Sequence, residues 1–573
     1  MVNLSYLDLS SAGFLGMIPH QLANLSNLQY LDLSQKYLGL YAENLRWLSG
    51  LSSLEHLDLS NVDLSRASDW LLVMNTLPSL VLLRLSGCRL SYFPPLSVAN
   101  FSSLATLDLS NNQFQSSLEP NWIFGLHNLV SLDLRNNSFG GQIPDGVQNL
   151  TSLRHLYLSN NHFNSSVPKW FHRFSLLEQV SLNSNSLEGK VSGALGNLTS
   201  INRLYLSNNR LEGKIPRSLG RLCNLKSISL SGVNLSQEMS EIFDIFSGCV
   251  SDGLEILVLR NCRIFGPLTD KLGQFRNLDT LDLSDNFISG HVPLSLGELS
   301  TLRVVDLSLN RLNGTLTQIH FSNLTRLLDF KASGNSLTFN VSLDWFPPFQ
   351  LEVLGLQSCE LGNQFPPWLH SQKHLTFLDI SNTGIVDLAD NHLSGSIPKC
   401  ISNISSMVTA NFSIGTDIQY PSVSTGKYIE DALLVLKGKA VEYNTILKLI
   451  RLIDLSKNKF SGEIPSEIMN LRALVSLDLS CNSFTGRIPK SIGALESILS
   501  IDFSANQLYG EIPQSISSLT FLSHLNLSNN KLSGKIPLST QLQSFDPSSF
   551  AGNRLCANKC EGICIESFVD SNI

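Results

Sequence analysis

Charged side chains are scarce in this sequence. Asp, Glu, Lys and Arg together make up 15% of the residues, and the formal net charge is −7. A slightly acidic chain lacks the basic surface that nucleic-acid binding requires, so no nucleic-acid partner is expected. No run of about 18 apolar residues occurs, so the sequence predicts no membrane span. Met1 leads directly into a strand pattern, and no signal peptide is visible.

Motifs for catalysis are also lacking. The sequence contains neither GxSxG nor HExxH, and Gly426 to Tyr428 has only a fragment of a phosphate loop. His370 and His374 are four residues apart, but no third metal ligand accompanies them. The sequence therefore predicts no enzyme, no cofactor and no metal site.

What the sequence does contain is a repeat. Its clearest copy is LVSLDLSCNSFTGRIPKSIGAL, from Leu474 to Leu495, and the next copy starts at Ile498, which gives a period of 24 residues. A period of this size with an LxxLxLxxN core is typical of a leucine-rich repeat, in which each unit contributes one short parallel strand and a returning arm. The pattern predicts an α/β-type solenoid, a right-handed superhelix with a parallel β-sheet on its concave face.

Each position of the repeat has a physical role. Leu477 and Leu479 are two residues apart, so a strand directs both into the core. Asn482 follows the strand, where its amide can bond backbone groups that the bend leaves unpaired, and stacked copies form a ladder. Gly486 permits a left-handed backbone, and Pro489 lacks an N–H and keeps the returning arm out of the sheet.

The repeat register divides the chain. Copies run from Leu7 to Leu378 in steps of mostly 24 to 26 residues, but the step from Ile228 to Leu257 is 29, which predicts a bulge on the convex side. After Leu378 a second strand pattern starts eight residues later at Val386, so either of the two can enter the sheet, and the next register mark is Ala410.

We therefore expect four parts. They are a repeat array over 1–413 with an irregular enlarged coil near 378–410, a non-repeat island over 414–449, four terminal repeats over 450–540, and a cap and tail over 541–573. The apolar run DALLVL in the island could form a strand or a short helix.

The outward strand positions suggest a ligand face. Most copies carry Asp there, in LDLS, which predicts a column of carboxylates about 4.8 Å apart that we attribute to repeat architecture. Between Tyr157 and Val258 the column loses its aspartates, and Tyr and Arg are typical interface residues. The candidate ligand-binding residues are His155, Tyr157, Gln179, Ser181, Arg203 and Tyr205. The alternative is that they are simply exposed strand positions.

Cysteines and glycosylation motifs indicate the compartment. Cys88, Cys262 and Cys359 replace the ladder Asn and are expected to be buried, while Cys223 and Cys249 flank the predicted bulge and are disulfide candidates. Many N-x-S/T motifs suit a secretory protein. The glycosylation candidates are Asn100, Asn149, Asn197, Asn234, Asn313, Asn323, Asn340, Asn403, Asn411 and Asn526.

The repeat sequence resembles a known family. GKIP at Gly213 to Pro216, GEIP at Gly462 to Pro465 and GRIP at Gly486 to Pro489 are similar to the plant extracellular type of leucine-rich repeat. A long array, an island and four further repeats resemble the plant receptor-like proteins of cell-surface immunity. LPSLVLLRLSGCRL and FSGCVSDGLEILVLRNC are similar to receptors for ethylene-inducing fungal xylanase and to apple scab resistance proteins.

This resemblance implies further site residues. Tyr428, Lys437 and Gly438 match the family's island pattern and would contact ligand. Cys556 and Cys564 have the spacing of the usual disulfide in its terminal cap. The four terminal repeats would dock a co-receptor kinase, for which the outward residues are Ser476, Asp478, Ser500, Asp502, His524 and Asn526.

The resemblance also implies a function. The expectation is an extracellular recognition module at the plasma membrane that binds a microbial protein elicitor and signals through leucine-rich-repeat receptor kinases in plant defence. The family's signal peptide, paired N-terminal cap, membrane helix and several repeats near Thr383 are not visible in this chain. The alternative is a truncated non-signalling paralogue, a decoy or an inhibitor-type repeat protein of the cell wall.

Overall fold

The structure, a computed structural model, describes residues 3–96, 98–117, 122–361, 366–381, 394–399, 401, 432–436, 439–443 and 452–556. These residues form two compact units, 1–264 and 265–573. Each unit is a leucine-rich repeat solenoid built on a main sheet of parallel three-residue strands.

The main sheet of the first unit follows the repeat register. Each strand places its middle residue, a Leu, Val or Ile in every copy, in the core beside the middle residue of the next coil, as in the pair Leu156 and Val180. Successive side chains of a strand alternate between the two faces, so the flanking residues lie on the open face of the sheet. The strands described are Tyr6–Asp8, Tyr30–Asp32, His56–Asp58, Leu82–Arg84, Thr106–Asp108, Ser131–Asp133, His155–Tyr157, Gln179–Ser181, Arg203–Tyr205, Ser227–Ser229 and Ile256–Val258.

The second unit repeats this arrangement. Its main-sheet strands, within the described residues, are Thr280–Asp282, Val304–Asp306, Asp329–Lys331, Val353–Gly355, Phe377–Asp379, Leu452–Asp454, Ser476–Asp478, Ser500–Asp502 and His524–Asn526. Leu378 pairs directly with Ile453, so these two strands are neighbours although 75 residues separate them in sequence. Of the two candidate strand starts, Leu378 therefore enters the sheet. Val386 and Ala410 lie outside the described residues.

The predicted asparagine ladder is confirmed. Asn506 Nδ2 donates to the carbonyl oxygens of Leu479, Phe503 and Ser504 at 2.9, 3.2 and 3.1 Å. Its Oδ1 accepts from the backbone N–H of Phe484 at 3.0 Å, so one amide joins two coils. Where cysteine replaces Asn, the thiol makes a single inter-coil bond, as from Cys88 Sγ to the carbonyl oxygen of Leu59 at 3.1 Å. Cys262 and Cys359 do the same.

A second set of strands flanks the main sheet. Gly486 adopts φ +82° there, and a Cβ at this position would lie 2.6 Å from the Glu463 side chain, so the turn excludes larger residues. In the first unit these strands are Gly16–Met17, Leu40–Tyr41, Gln115–Ser117, Ser138–Gly141, His162–Phe163, Glu188–Lys190 and Arg210–Glu212. In the second they are Phe265–Pro267, Phe287–Gly290, Arg311–Leu316, Ser336–Phe339, Ser394–Gly395, Lys459–Glu463, Ser483–Thr485, Tyr509–Gly510, Lys531–Lys535 and Arg554–Cys556.

The returning arms are short 3₁₀ helices, many of which start directly after a proline such as Pro465 or Pro513. Proline fixes φ near the value a helix entry needs and offers no N–H to a strand. The first unit has His20–Asn24, Arg46–Gly50, Ile123–Gly125, Asp145–Asn149, Lys169–Arg173, Gly193–Asn197 and Arg217–Arg221. The second has Asp270–Gln274, Leu294–Glu298, Gln318–Phe321, Pro367–Ser371, Ser466–Asn470, Ile492–Ala494, Gln514–Ser518, Leu542–Ser544 and Pro547–Phe550.

Among the residues that the structure describes, three α-helices interrupt the 3₁₀ pattern, at Trp70–Met74, Met239–Phe246 and Cys249–Gly253. The long step after Ile228 was expected to be a bulge, but its extra residues form the second helix, whose Met239, Ile242, Phe243 and Phe246 side chains are fully buried. Its apolar face takes the place of an ordinary arm against the core. Where the structure describes the chain, no helix has the length and apolarity to cross a membrane.

A disulfide joins Cys223 and Cys249, two of the disulfide candidates, with Cα atoms 4.9 Å apart. In the island, Ala432–Leu436 pairs antiparallel with Lys439–Tyr443, so the residues ALLVL of the apolar run form a strand and not a helix. The other island residues lie outside the described part of the chain, and the domain boundaries stay a prediction.

Candidate functional site

Two surfaces of the main sheets contain the candidate binding residues. The first, called the tyrosine patch, consists of His155, Tyr157, Gln179, Ser181, Arg203 and Tyr205 in the first unit. The second, called the terminal patch, consists of Ser476, Asp478, Ser500, Asp502, His524 and Asn526 in the second unit.

The strand register brings the six residues of the tyrosine patch together. Gln179 lies between His155 and Arg203 in one row of the sheet, and Ser181 lies between Tyr157 and Tyr205 in the next row. The Tyr157 hydroxyl donates to Gln179 Oε1 at 3.1 Å, across the two rows. The patch is therefore one connected surface on rigid strands.

Arg135 is a neighbour that sequence reasoning missed. Its guanidinium carbon lies 4.9 Å from the centre of the Tyr157 ring, within range of a cation–π interaction. Arg135 Nε also donates to both carboxylate oxygens of Asp133 at 2.9 Å, and this hydrogen bonding raises the pKa of Arg135 against the effect of its burial. Arg135 comes two residues after its strand, so a search of the strand positions alone could not find it.

Burial corrects the interpretation of the patch as six exposed positions. Ser181 is 0% exposed, Tyr205 is 2% exposed and Gln179 is 3% exposed. Burial raises the pKa of Tyr205 to about 12. Tyr157, His155 and Arg203 are half-buried and form the accessible part of the patch.

Several polar atoms beneath this surface are unsatisfied. Gln179 Nε2, Ser181 Oγ, Tyr205 Oη and Ser227 Oγ are buried without a hydrogen-bond partner among the described residues. An unpaired buried donor is unfavourable, by about 1–3 kcal/mol in typical cases. The patch therefore carries local polar strain beside its accessible side chains.

Two charged groups near His155 are Arg154 and Glu178, which lie at the ends of its strand and the adjacent one, respectively. Glu178 pairs with Arg154, and the same carboxylate lies 3.9 Å from His155 Nε2. Burial lowers the pKa of His155, and Glu178 opposes that change. At neutral pH the accessible surface therefore combines a phenol, a guanidinium and a largely neutral imidazole.

The register also brings the terminal patch together. Ser476, Ser500 and His524 form one row, and Asp478, Asp502 and Asn526 form the next. The two serines are 2% and 4% exposed, so only the other four residues offer surface to a partner. The prediction of six outward docking residues is thus reduced to four accessible ones.

A column of carboxylates runs through the terminal patch. Asp379, Asp454, Asp478 and Asp502 are register neighbours in consecutive strands. Burial and the adjacent carboxylate raise the pKa of Asp454 to about 6 and that of Asp478 to about 7. The sequence predicted a column, but it could not show that Asp379 stands next to Asp454.

Asn526 ends the column differently. Its Nδ2 donates to Asp502 Oδ2 at 3.0 Å, so the last pair is joined by a hydrogen bond and has no like-charge repulsion. That nitrogen is also the atom that a glycan would modify. Asn526 was proposed both as a docking residue and as a glycosylation site, and one side chain cannot serve both purposes at once.

The remaining candidates are distributed over the chain. Among the glycosylation candidates, Asn100, Asn149, Asn197, Asn313, Asn323 and Asn340 are exposed, and Asn234 is half-buried. Cys556 ends a strand at the C-terminal end of the described chain. Tyr428, Lys437, Gly438, Asn403, Asn411 and Cys564 lie outside the described residues.

Comparison with known proteins gives the family. Models for leucine rich repeats match residues 78–139, 152–174, 200–222, 277–299, 449–471, 473–495 and 521–553. The chain is 34% identical over 537 residues to the receptor-like protein EIX1 of Solanum lycopersicum, covering 81% of this chain and 44% of EIX1. It is 30% identical over 493 residues to EIX2 of the same plant, covering 69% and 43%. The chain thus spans less than half the length of these relatives.

A solved structure has the same fold. The ectodomain of the Arabidopsis receptor kinase HAESA, in complex with the peptide hormone IDA and the co-receptor SERK1, is 26% identical with a TM-score of 0.56, covering 98% of this chain and 92% of that one. The repeat chemistry, the sheet register and these similarities place the chain among the leucine-rich repeat proteins, with plant receptor-like proteins as its relatives.

Proposed function

We propose that this chain is the extracellular recognition part of a plant immune receptor-like protein. It is a non-enzymatic module that binds a microbial, in particular fungal, protein elicitor and signals through partner receptor kinases. Support comes from its similarity to the receptor-like proteins EIX1 and EIX2, and from the HAESA structure, in which a repeat ectodomain of the same fold binds a peptide and a co-receptor.

The tyrosine patch is the observation that carries this proposal. Tyr157 is held by Gln179 and Arg135, so binding costs it little conformational entropy. A fixed phenol with Arg203 and His155 beside it offers apolar area together with hydrogen-bond donors. These are the side chains that contribute most to protein interfaces. The patch therefore suits a folded protein ligand better than a small molecule.

Two further surfaces complete the proposal. The island residues Tyr428, Lys437 and Gly438 contact the ligand, and the terminal patch docks the ectodomain of a co-receptor kinase. In the terminal patch, His524 and Asn526 are half-buried side chains on the last strand of the main sheet. Together with Asp502 they form a small polar surface, and its charge comes mainly from the carboxylate column.

The test uses a fungal xylanase of the ethylene-inducing type as probe. The full chain, secreted from plant cells, is immobilised and its affinity for the xylanase is measured by biolayer interferometry. We expect the Tyr157→Ala, Arg203→Ala double variant to bind at least about tenfold more weakly, as an interface hot spot would. Tyr509→Ala removes a 48% exposed tyrosine from a flanking strand and is the matched control, with unchanged affinity expected.

The island and the co-receptor are tested separately. Tyr428→Ala and Lys437→Ala should each weaken xylanase binding, and His524→Ala should weaken capture of a SERK1-type ectodomain while leaving xylanase binding intact. Equal affinity of the patch variants, the island variants and the parent would refute the ligand assignment. A parent chain that binds xylanase but captures no kinase ectodomain would instead favour the decoy.

A further inference from the structure

The open face of the first unit carries a cluster of metal-ligating side chains outside the tyrosine patch. Asp32 and Asp58 are register neighbours on adjacent strands, and His56 lies two residues before Asp58 on the same face. One imidazole nitrogen and one carboxylate oxygen from each aspartate lie within 4.8 Å of one another. Three donors so close need only small side-chain rotations to share one cation.

The imidazole of His56 is held in place but unsatisfied. Its ring stacks on Tyr30 with ring centres 4.0 Å apart, and Tyr30 stacks on Tyr6 at 4.2 Å. His56 Nε2 is buried and has no hydrogen-bond partner within the described residues. A buried ring nitrogen without a partner is rare and calls for an explanation, and a bound cation supplies one because an imidazole nitrogen is a good ligand.

Both carboxylates are oriented by the backbone. Asp32 Oδ1 accepts from the N–H of Ser34 at 2.8 Å, and Asp58 Oδ1 accepts from the N–H of Ser60 at 2.9 Å. These bonds fix each carboxylate through one oxygen, and each carboxylate has a second oxygen that can bind a cation. Metal ligands in proteins are commonly held by such outer hydrogen bonds.

The charge in the cluster is only partly balanced. Asp58 is 6% exposed and stands beside a second carboxylate. Arg84 Nη1 lies 3.7 Å from Asp58 Oδ2, and the Arg84 side chain is 45% exposed. A guanidinium at that distance makes no direct hydrogen bond. A small divalent cation would neutralise both carboxylates at contact distance.

We propose that Asp32, His56 and Asp58 form a binding site for a divalent transition-metal cation, with Zn²⁺ as the best fit. One nitrogen and two oxygens suit Zn²⁺, which is bound through His nitrogen and Asp oxygen in tetrahedral sites. Three protein ligands leave the fourth position for water or for an oxygen of an incoming ligand. The site would thus add a Lewis-acidic contact to this part of the sheet.

The second unit contains a natural comparison. Asp502, His524 and Asn526 occupy the corresponding register positions, with Asn in place of the second aspartate. There the Asn526 amide donates to Asp502 and joins the pair without a cation. The same strand geometry is therefore present with one carboxylate fewer, which provides a control within the same chain.

The experiment is a zinc titration of the full chain after removal of metal with a chelator, followed by competition with a chromophoric zinc indicator. We expect one Zn²⁺ per chain with a dissociation constant in the micromolar range or below. His56→Ala and Asp32→Asn should each weaken this binding at least about tenfold. Asp32→Asn keeps the aromatic stack intact, so its effect does not depend on a change in folding, and circular dichroism checks both variants.

Two controls separate this site from weak binding to other histidines. His155→Ala and His524→Ala remove imidazoles at equivalent strand positions, and both should leave the tight site unchanged. The proposal is overturned if the parent shows no saturable zinc binding, or if His56→Ala and Asp32→Asn bind zinc as the parent does. Equal weakening in the His524→Ala variant would also overturn it.

Discussion

The carboxylate column of the terminal repeats leads to a quantitative prediction about pH and stability. Asp478 lies between Asp454 and Asp502, and its Oδ1 accepts from the N–H of Ser480 at 2.9 Å. Burial, together with the charge of Asp454, raises the pKa of Asp478 from 3.8 to about 7. The folded chain therefore holds this proton more tightly than the unfolded chain does.

The sign of the effect follows from this difference. The stabilisation from the protonated carboxyl is complete below the unfolded-state pKa, near pH 4, and is lost as the pH rises through 7. With one pKa unit worth about 1.4 kcal/mol, ionisation of Asp478 costs about 4 kcal/mol at high pH, and more than half of this stabilisation is lost between pH 5 and pH 8.

Asp478→Asn removes the charge and keeps the acceptor for Ser480. Asn526 shows that the position accepts an amide, since its Oδ1 accepts from the N–H of Ser528 at 3.2 Å. We expect the variant to be more stable than the parent at pH 8, by about 2–4 kcal/mol, and the advantage to shrink by more than half at pH 5.

Hydrogen exchange measured by mass spectrometry resolves this local stability, because repeat proteins need not unfold as one unit. Variant and parent are compared at each pH, so that intrinsic exchange rates cancel, for peptides that cover the strands around Asp478. Glu511→Gln removes the same charge from an exposed position in the same repeats and should have little effect. An equal difference between Asp478→Asn and the parent at pH 5 and pH 8 would refute the electrostatic argument.

Three further predictions concern single features. Replacing both Cys223 and Cys249 by Ser opens a loop with a sequence separation of 26, which should lower the local unfolding free energy by about 3 kcal/mol in hydrogen exchange. Asn506→Ala leaves buried carbonyls and one N–H unpaired and should cost about 2–4 kcal/mol by the same measurement, whereas the exposed substitution Asn149→Ala should cost under about 0.5 kcal/mol. In chain secreted from plant cells, peptide mapping should find glycan on Asn149 but not on Asn526, whose amide nitrogen is already bonded; an occupied Asn526 would contradict that reason.

Local features of the fold could be predicted well because the repeat fixes their neighbours. Once the period is 24, Asn482 must stand beside Asn506, and an amide at a bend has few partners other than the backbone. The burial of Cys88 followed from the same register. Cys223 and Cys249 could be named as disulfide candidates because they flank the long step in the repeat, but the bond between them is given by the structure.

Long-range features could not be predicted from the period. The sheet pairs Leu378 with Ile453, 75 residues later in the chain, and the repeat pattern could not show this, since strand pairing depends on which segments meet and not on local sequence. The apolar residues that follow Ile228 formed a helix and not a bulge because Met239 and Phe243 lie on one helical face that the core can bury. The exposure of individual strand residues could not be predicted from the sequence either, since it depends on the side chains of neighbouring strands. Ser181, for example, stands at an outward strand position but is 0% exposed.

The aspartate column itself explains why departures from it deserve functional tests. In the LDLS copies the aspartate accepts from the N–H two residues later, as Asp454 does from Ser456 at 2.9 Å, so it closes the bend at the end of the strand. That hydrogen bond lies within one coil. The electrostatic cost of having an aspartate at this position increases as the carboxylates of successive coils stack on one another. A copy without Asp must satisfy the same N–H in another way.

The tyrosine patch shows such a replacement. The N–H of Ser207 donates to Asn183 Oδ1 at 2.7 Å, and the N–H of Ser231 donates to Ser207 Oγ at 2.9 Å, both from the preceding coil. Because a side chain of the neighbouring coil closes the bend, no aspartate is needed at this strand position, and Tyr205 can occupy it. This replacement explains how the column can lose its aspartate here; Tyr205 itself is 2% exposed, so the accessible side chains of the patch remain Tyr157, His155 and Arg203.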